Sequence, residues 1–70
     1  MSEAAEEIRY PNVTVQLPDS EKLYDLIYAV REAIYSEVGM REALAWSMAA
    51  TLCGSHEELL VLARMSVNVI

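Results

Sequence analysis

Apolar residues recur along this chain with two different periods. From Pro11 to Leu17 they alternate: Val13, Val15 and Leu17 fall on one face, Asn12, Thr14 and Gln16 on the other. A period of two with β-branched residues predicts a half-buried strand. Pro18, which has no N–H to give a ladder, ends it. The period then lengthens. Asp19 or Ser20 is placed to cap a helix, with Glu21 in its first turn. That helix is expected to run to about Val38, with Gly39 as its C′ residue. At about 100° per residue, Leu23, Ile27, Val30, Ile34 and Val38 form one stripe. Tyr24, Tyr28 and Tyr35 form a second, centred roughly 90–100° from the first, and Arg31 lies among them. Lys22, Asp25, Glu32 and Ser36 fill the wet side. Leu26 and Ala33 widen the apolar or aromatic arc to about 200°, beyond the roughly 100° that packing on one core needs.

A second helix is expected from about Met40 to Cys53. Only Arg41 and Glu42, in its first turn, are charged. Leu44, Met48 and Leu52 make a ridge at i, i+4 and i+8, and Ala43, Ala45, Ala49 and Ala50 leave room for another helix. Trp46 projects on the far side. Gly54 stops the helix, and Ser55-His56-Glu57-Glu58 matches a capping box ahead of the run Leu59-Leu60-Val61-Leu62-Ala63. The third helix is expected to end near Met65. Ser66 to Ile70 alternates again, with Val67 and Val69 on one face, and predicts a second short strand. The fold class is therefore α+β, mostly helical: a short N-terminal strand, three helices and a short C-terminal strand. The strands can pair with each other or each with a symmetry mate. A lone pair is marginal in water, so its valine face must pack on the helices.

Seventy residues make one small domain, here residues 10–70, preceded by an acidic flexible tail at 1–9. A chain this short hides only about 60% of its unfolded surface. Yet Ala43 to Cys53 carries no charge and is apolar on nearly every side, which calls for cover on nearly every side. The expected working unit is a homo-oligomer, most simply a dimer. Leu44, Trp46, Met48 and Leu52 are the candidate oligomer-interface residues, with the chain's own core as the simplest reading for Trp46 and Met48. Tyr24, Tyr28, Arg31 and Tyr35 are the candidate partner-binding residues, because Tyr and Arg are enriched where interfaces carry energy. A second packing face inside the monomer is the competing reading.

Charge and chemistry narrow the functional classes. The net charge is −6, and Arg9, Lys22, Arg31, Arg41 and Arg64 are scattered. That disfavours a nucleic-acid partner, whose phosphates need clustered Lys and Arg. With one Cys and one His, the chain forms no internal disulfide and no Cys/His zinc cluster by itself. Cys53 and His56 stand three apart, but Gly54 and Ser55 break the helix between them, and Cys53 reads as a small buried apolar residue. No metal site and no cofactor are expected. There is no nucleophile paired with a base and no Gly-rich phosphate loop, so no catalytic residue is named and no enzyme is expected. The acidic N-terminus lacks the basic-then-apolar order of a signal peptide, which points to the cytoplasm. The charge-free run is too short for the roughly 20 residues of a membrane span.

Tyr10-Pro11-Asn12-Val13-Thr14-Val15-Gln16-Leu17 resembles the opening of a group of very short phage and prophage proteins. Ala33-Ile34 leading to Gly39, then Glu57-Glu58, Leu59-Leu60 and Val67-Asn68-Val69, match the rest of their pattern in order. The chain departs from it at Pro18-Asp19-Ser20-Glu21, where Asp-Gly-Asn-Ala is usual, and at Gly54-Ser55-His56-Glu57, where Gly-Asp-Tyr-Asp is usual. The resemblance implies a mobile-element origin and a small non-catalytic role. The expected function is stoichiometric binding that inhibits a host defence protein. A first alternative is an oligomeric sponge for a small anionic signalling nucleotide, held by Arg31 and Arg41 beside tyrosine rings. A second rests on Val13 to Pro18 before a helix, which resembles a ribbon-helix-helix DNA-binding regulator. There Asn12, Thr14 and Gln16 would read base edges; the strand has no Lys or Arg after Arg9, and the chain is acidic.

Overall fold

A computed structural model of the chain describes residues 8–70. Strand β1 is Thr14–Val15, helix α1 Leu23–Glu37, helix α2 Met40–Thr51, helix α3 His56–Ser66 and strand β2 Asn68–Val69. The expected order of strand, three helices and strand is the observed one. The acidic tail expected at the N-terminus lies, for residues 1–7, outside the described residues. From Arg9 onward the backbone is bonded to the end of α3: Arg9 N–H donates to Met65 O at 3.1 Å and Tyr10 N–H to Ser66 O at 2.7 Å.

The two strands pair with each other, parallel, with Thr14 opposite Asn68 and Val15 opposite Val69. The ladder is shorter than the Pro11–Leu17 alternation predicts. Tyr10-Pro11-Asn12-Val13 is spent on a turn, closed by Val13 N–H donating to Tyr10 O at 3.0 Å. Asn68 then ties that turn down: its Nδ2 donates to Pro11 O at 2.7 Å and its backbone N–H to Val13 O at 2.9 Å. The alternation itself holds. Val13 and Val15 are buried, Leu17 half-buried, and Asn12, Thr14 and Gln16 exposed.

Helix α1 begins two residues later than a Ser20 cap would place it. Lys22 is the N-cap and makes no side-chain cap bond. Ser20 Oγ accepts from Lys22 N–H at 3.1 Å and donates to Asp25 Oδ2 at 2.8 Å, so it satisfies groups ahead of the helix instead. The buried stripe is Leu26, Val30 and Ile34, turned by about 40° from the expected one on a 100° wheel. Leu23 and Ile27 are half-buried and Val38 is exposed. The rotation trades an aliphatic side chain, Leu26, for the tyrosine side, whose hydroxyls would need partners if buried.

The step from α1 to α2 is made on Gly39. Val38 and Gly39 N–H both donate to Ile34 O, at 2.7 and 3.1 Å, while Gly39 O accepts from Ala43 N–H at 3.1 Å. One residue thus ends α1 and caps α2, with φ 139°. Helix α2 stops at Thr51 rather than Cys53. Leu52 and Cys53 N–H reach back three residues, to Ala49 O and Ala50 O, both at 3.1 Å, the tightening common in a last turn. At α3 the capping box forms with one change. Ser55 Oγ accepts from Glu58 N–H at 3.2 Å, but Glu58 Oε1 accepts from Gly54 N–H, at 2.7 Å, not from Ser55.

Helix α1 packs on α2, α3 and β1, and α3 packs on β2. The core holds Val13, Val15, Leu26, Val30, Ile34, Ala43, Trp46, Ala50, Leu59, Ala63 and Val67, with Tyr10 at its edge. Among the described residues one polar side chain is buried with them: Ser66. Its Oγ accepts from Trp46 Nε1–H at 2.9 Å and donates to Leu62 O at 2.7 Å. Ser66→Ala is expected to cost about 1–3 kcal/mol, because it leaves the indole N–H buried without an acceptor. Thermal unfolding at fixed concentration checks this. Trp46→Phe should then cost less in the Ser66→Ala background than in wild type, and equal costs would show the pair uncoupled. Gly39→Ala meets open space, so backbone strain alone is expected to cost about 1–3 kcal/mol. An unchanged melting temperature would contradict the assigned backbone geometry.

Candidate functional site

With Leu26, Val30 and Ile34 facing inward, the wheel of α1 turns Tyr24, Tyr28, Arg31 and Tyr35 outward together. Tyr24 is largely exposed, and Tyr28 and Tyr35 about half exposed. The Tyr24 and Tyr28 rings lie 6.4 Å apart, centroid to centroid, at 27°. The Arg31 guanidinium carbon lies 5.3 Å from the Tyr28 ring centroid. Spacings of four and three residues along one helix place Tyr28 in contact with both, so the aromatic surface is held before any partner arrives. Arg31 also approaches Glu32 at 3.5 Å, a solvated pair that contributes little and leaves the guanidinium free to bond elsewhere.

Arg31 and Tyr35 continue into a groove between α1 and α2, lined also by Glu32, Met40, Ala43 and Leu44, with a volume of about 250 Å³. That is smaller than the roughly 300–1,000 Å³ of ordinary small-molecule sites. Arg41 is not among its lining residues, so the two arginines of the nucleotide-sponge alternative do not converge there.

Beyond the groove lies the outer face of α2. Leu44 is 50% exposed, Met48 68% and Leu52 85%. These values separate the ridge from Ala43, Trp46 and Ala50, which are buried on the opposite side of the same helix. Trp46 therefore does not belong to an exposed interface. It is a core residue of its own chain, fixed by its bond to Ser66. Met48, read first as core, is on the surface. Met40 joins the exposed ridge one turn before Leu44. Its i−4 spacing was the available signal, masked by its place at the expected helix start.

The other candidates stay separate. Cys53 is half-buried, and its thiol approaches Ala49 O at 4.0 Å. No group of three metal-ligating side chains occurs among the described residues. None of their helices is long and apolar enough to cross a membrane. Asn12, Thr14 and Gln16 are exposed, but β1 is paired with β2 of its own chain, not with the symmetry mate that a ribbon-helix-helix arrangement requires. No family model, curated protein or solved structure matches the chain.

Tyr10, read first only as part of a motif, anchors the start of the domain. Its hydroxyl donates to Glu42 Oε1 at 2.8 Å and accepts from Arg9 Nε–H at 3.1 Å. Burial, then the bond to Glu42, push its pKa above the ordinary tyrosine value. An unfolded chain ionises tyrosine near 10, while the folded one keeps this proton to higher pH. The contribution of Tyr10 is thus intact below about 10 and is lost as pH rises through the folded pKa. Denaturant titrations of wild type and Tyr10→Phe should differ by a constant amount from neutral pH to about 9. The gap should close above that. A gap independent of pH would contradict the assigned hydrogen bond.

Proposed function

We propose that this chain is a non-catalytic binding protein that acts stoichiometrically. It masks a surface of a protein partner with the tyrosine-and-arginine flank of α1, and it self-associates through α2. The observation that carries this reading is the row of exposed Tyr24, Tyr28 and Tyr35 with half-buried Arg31 among them, on a helix whose other side is locked into the core. Rigid aromatic surface with a polar tip loses little entropy on binding, and Tyr and Arg are the residue types that dominate interface energetics. The net charge of −6 and the small α1–α2 groove favour a protein partner over a polyanion or an enclosed nucleotide.

The resemblance to very short phage and prophage proteins extends the proposal. The partner is then a host protein, and the consequence of binding is inhibition of host defence in the cytoplasm. The test is quantitative capture of a partner by the wild-type chain and by Tyr28→Ala and Arg31→Ala. Each variant is expected to weaken capture by roughly 30-fold, the scale of a hot-spot residue, with its helicity unchanged. Retained capture by both variants would refute the assigned flank.

A further inference from the structure

The ridge on α2 has a geometry that selects its own occupant. Met40, Leu44, Met48 and Leu52 follow one another every four residues, on the side of α2 opposite Ala43, Trp46 and Ala50. Exposed Ala45, Ala49 and Thr51 flank them and leave room for a close approach. The chain carries −6 overall, yet among the residues of α2 itself this face carries one charge, Arg41, with Arg31 and Glu32 of α1 at its border beside Met40 and Leu44. Glu42, the other charged residue of α2, is turned away to Tyr10. Two copies of α2 can therefore meet here without a carboxylate of α2 in the contact.

We propose that this face pairs with the same face of a second copy, antiparallel, with Met48 on the two-fold axis. The inference rests on the self-association in the proposed function and makes it specific. A two-fold interface uses one patch twice, so each residue meets its counterpart on the other side of the axis. Leu44 then packs on Leu52 of the partner copy, and Met48 on Met48. Arg41 arrives at the C-terminal end of the partner copy's α2, where open carbonyls carry negative partial charge. Glu57 and Glu58 follow shortly after that end. A parallel pair would instead set Arg41 beside Arg41 and leave both helix ends uncompensated. The contact is small. Helix α2 has 12 residues, so it is about 18 Å long and about 10 Å across. A single helix pair of that size falls short of the roughly 800 Å² per copy of a standard stable interface. The dimer is accordingly weak and depends on concentration.

Cysteine linkage tests the arrangement in the full chain. Leu44→Cys, Met48→Cys and Leu52→Cys are each made with Cys53→Ser, and circular dichroism confirms that these surface changes keep the helices. A disulfide requires Cα atoms about 5.5–6 Å apart, so it reports which positions meet. Met48→Cys is expected to link to itself. Leu44→Cys and Leu52→Cys are expected to link about ten-fold faster when mixed than either does alone, because only the mixture places two thiols within that distance. Self-linkage of Leu44→Cys and of Leu52→Cys at the mixed rate would mean a parallel pair and overturn the proposal. Absence of linkage at all three positions would overturn it as well. Adding Tyr28→Ala to the Met48→Cys chain should leave its linkage unchanged, so failure here is separable from failure of the partner-binding flank.

Discussion

Ser66 holds this small domain together at the point where its two ends meet. Its carbonyl takes the N–H of Tyr10, its hydroxyl oxygen takes the indole N–H of Trp46, and its hydroxyl proton goes to Leu62 O. The start of the domain, α2 and α3 are thereby fixed to one residue at the end of α3. Two residues on, Asn68 binds the opening turn through Pro11 O and Val13 O. Without this knot the two-residue strands would have little to hold them, since an isolated strand pair is marginal in water. With it, Val13, Val15 and Val67 are positioned to close the core under α1.

That knot also decides which surfaces remain. By drawing Trp46 inward it orients α2, and the ridge of Leu44, Met48 and Leu52 is left on the opposite side. The inner stripe of α1 likewise leaves the tyrosines and Arg31 outside. A small domain hides only about 60% of its unfolded surface, and among the described residues no element lies over either face. The exposed apolar side chains follow from having three helices and a two-stranded sheet, and both proposed interactions use what that architecture cannot cover.

Much of this was legible in the sequence. The alternation of Val13 and Val15, the cap at Ser55 and the terminator at Gly39 each name a local geometry with a physical cause, and each is present, the return bond from Glu58 falling on Gly54 rather than Ser55. Boundaries were less legible, because they depend on partners distant in sequence. The length of β1 is limited by the turn that takes Tyr10 to Val13, held by Asn68, and the start of α1 by a serine that bonds Asp25 instead of capping. The rotation of the α1 stripe shows a further limit. Leu26 and Ile27 are equally apolar, and only the packing of α1 on β1, α2 and α3 chooses between them. Ser66 was not legible as a core residue, since the alternation from Ser66 to Ile70 set it on the polar side, whereas it is the last residue of α3 and buried. The tyrosine row was readable from spacing alone. Its stacking on Arg31 and its continuity with the α2 ridge needed the helices in place.

The central claim is that one copy of this chain leaves a face that another copy covers. Sedimentation equilibrium across a wide range of concentrations tests it most directly. The predicted result is a mass that rises from the 7.8 kDa of one chain towards twice that value, reversibly, as concentration increases. A mass that stays at one chain at every concentration would contradict the claim.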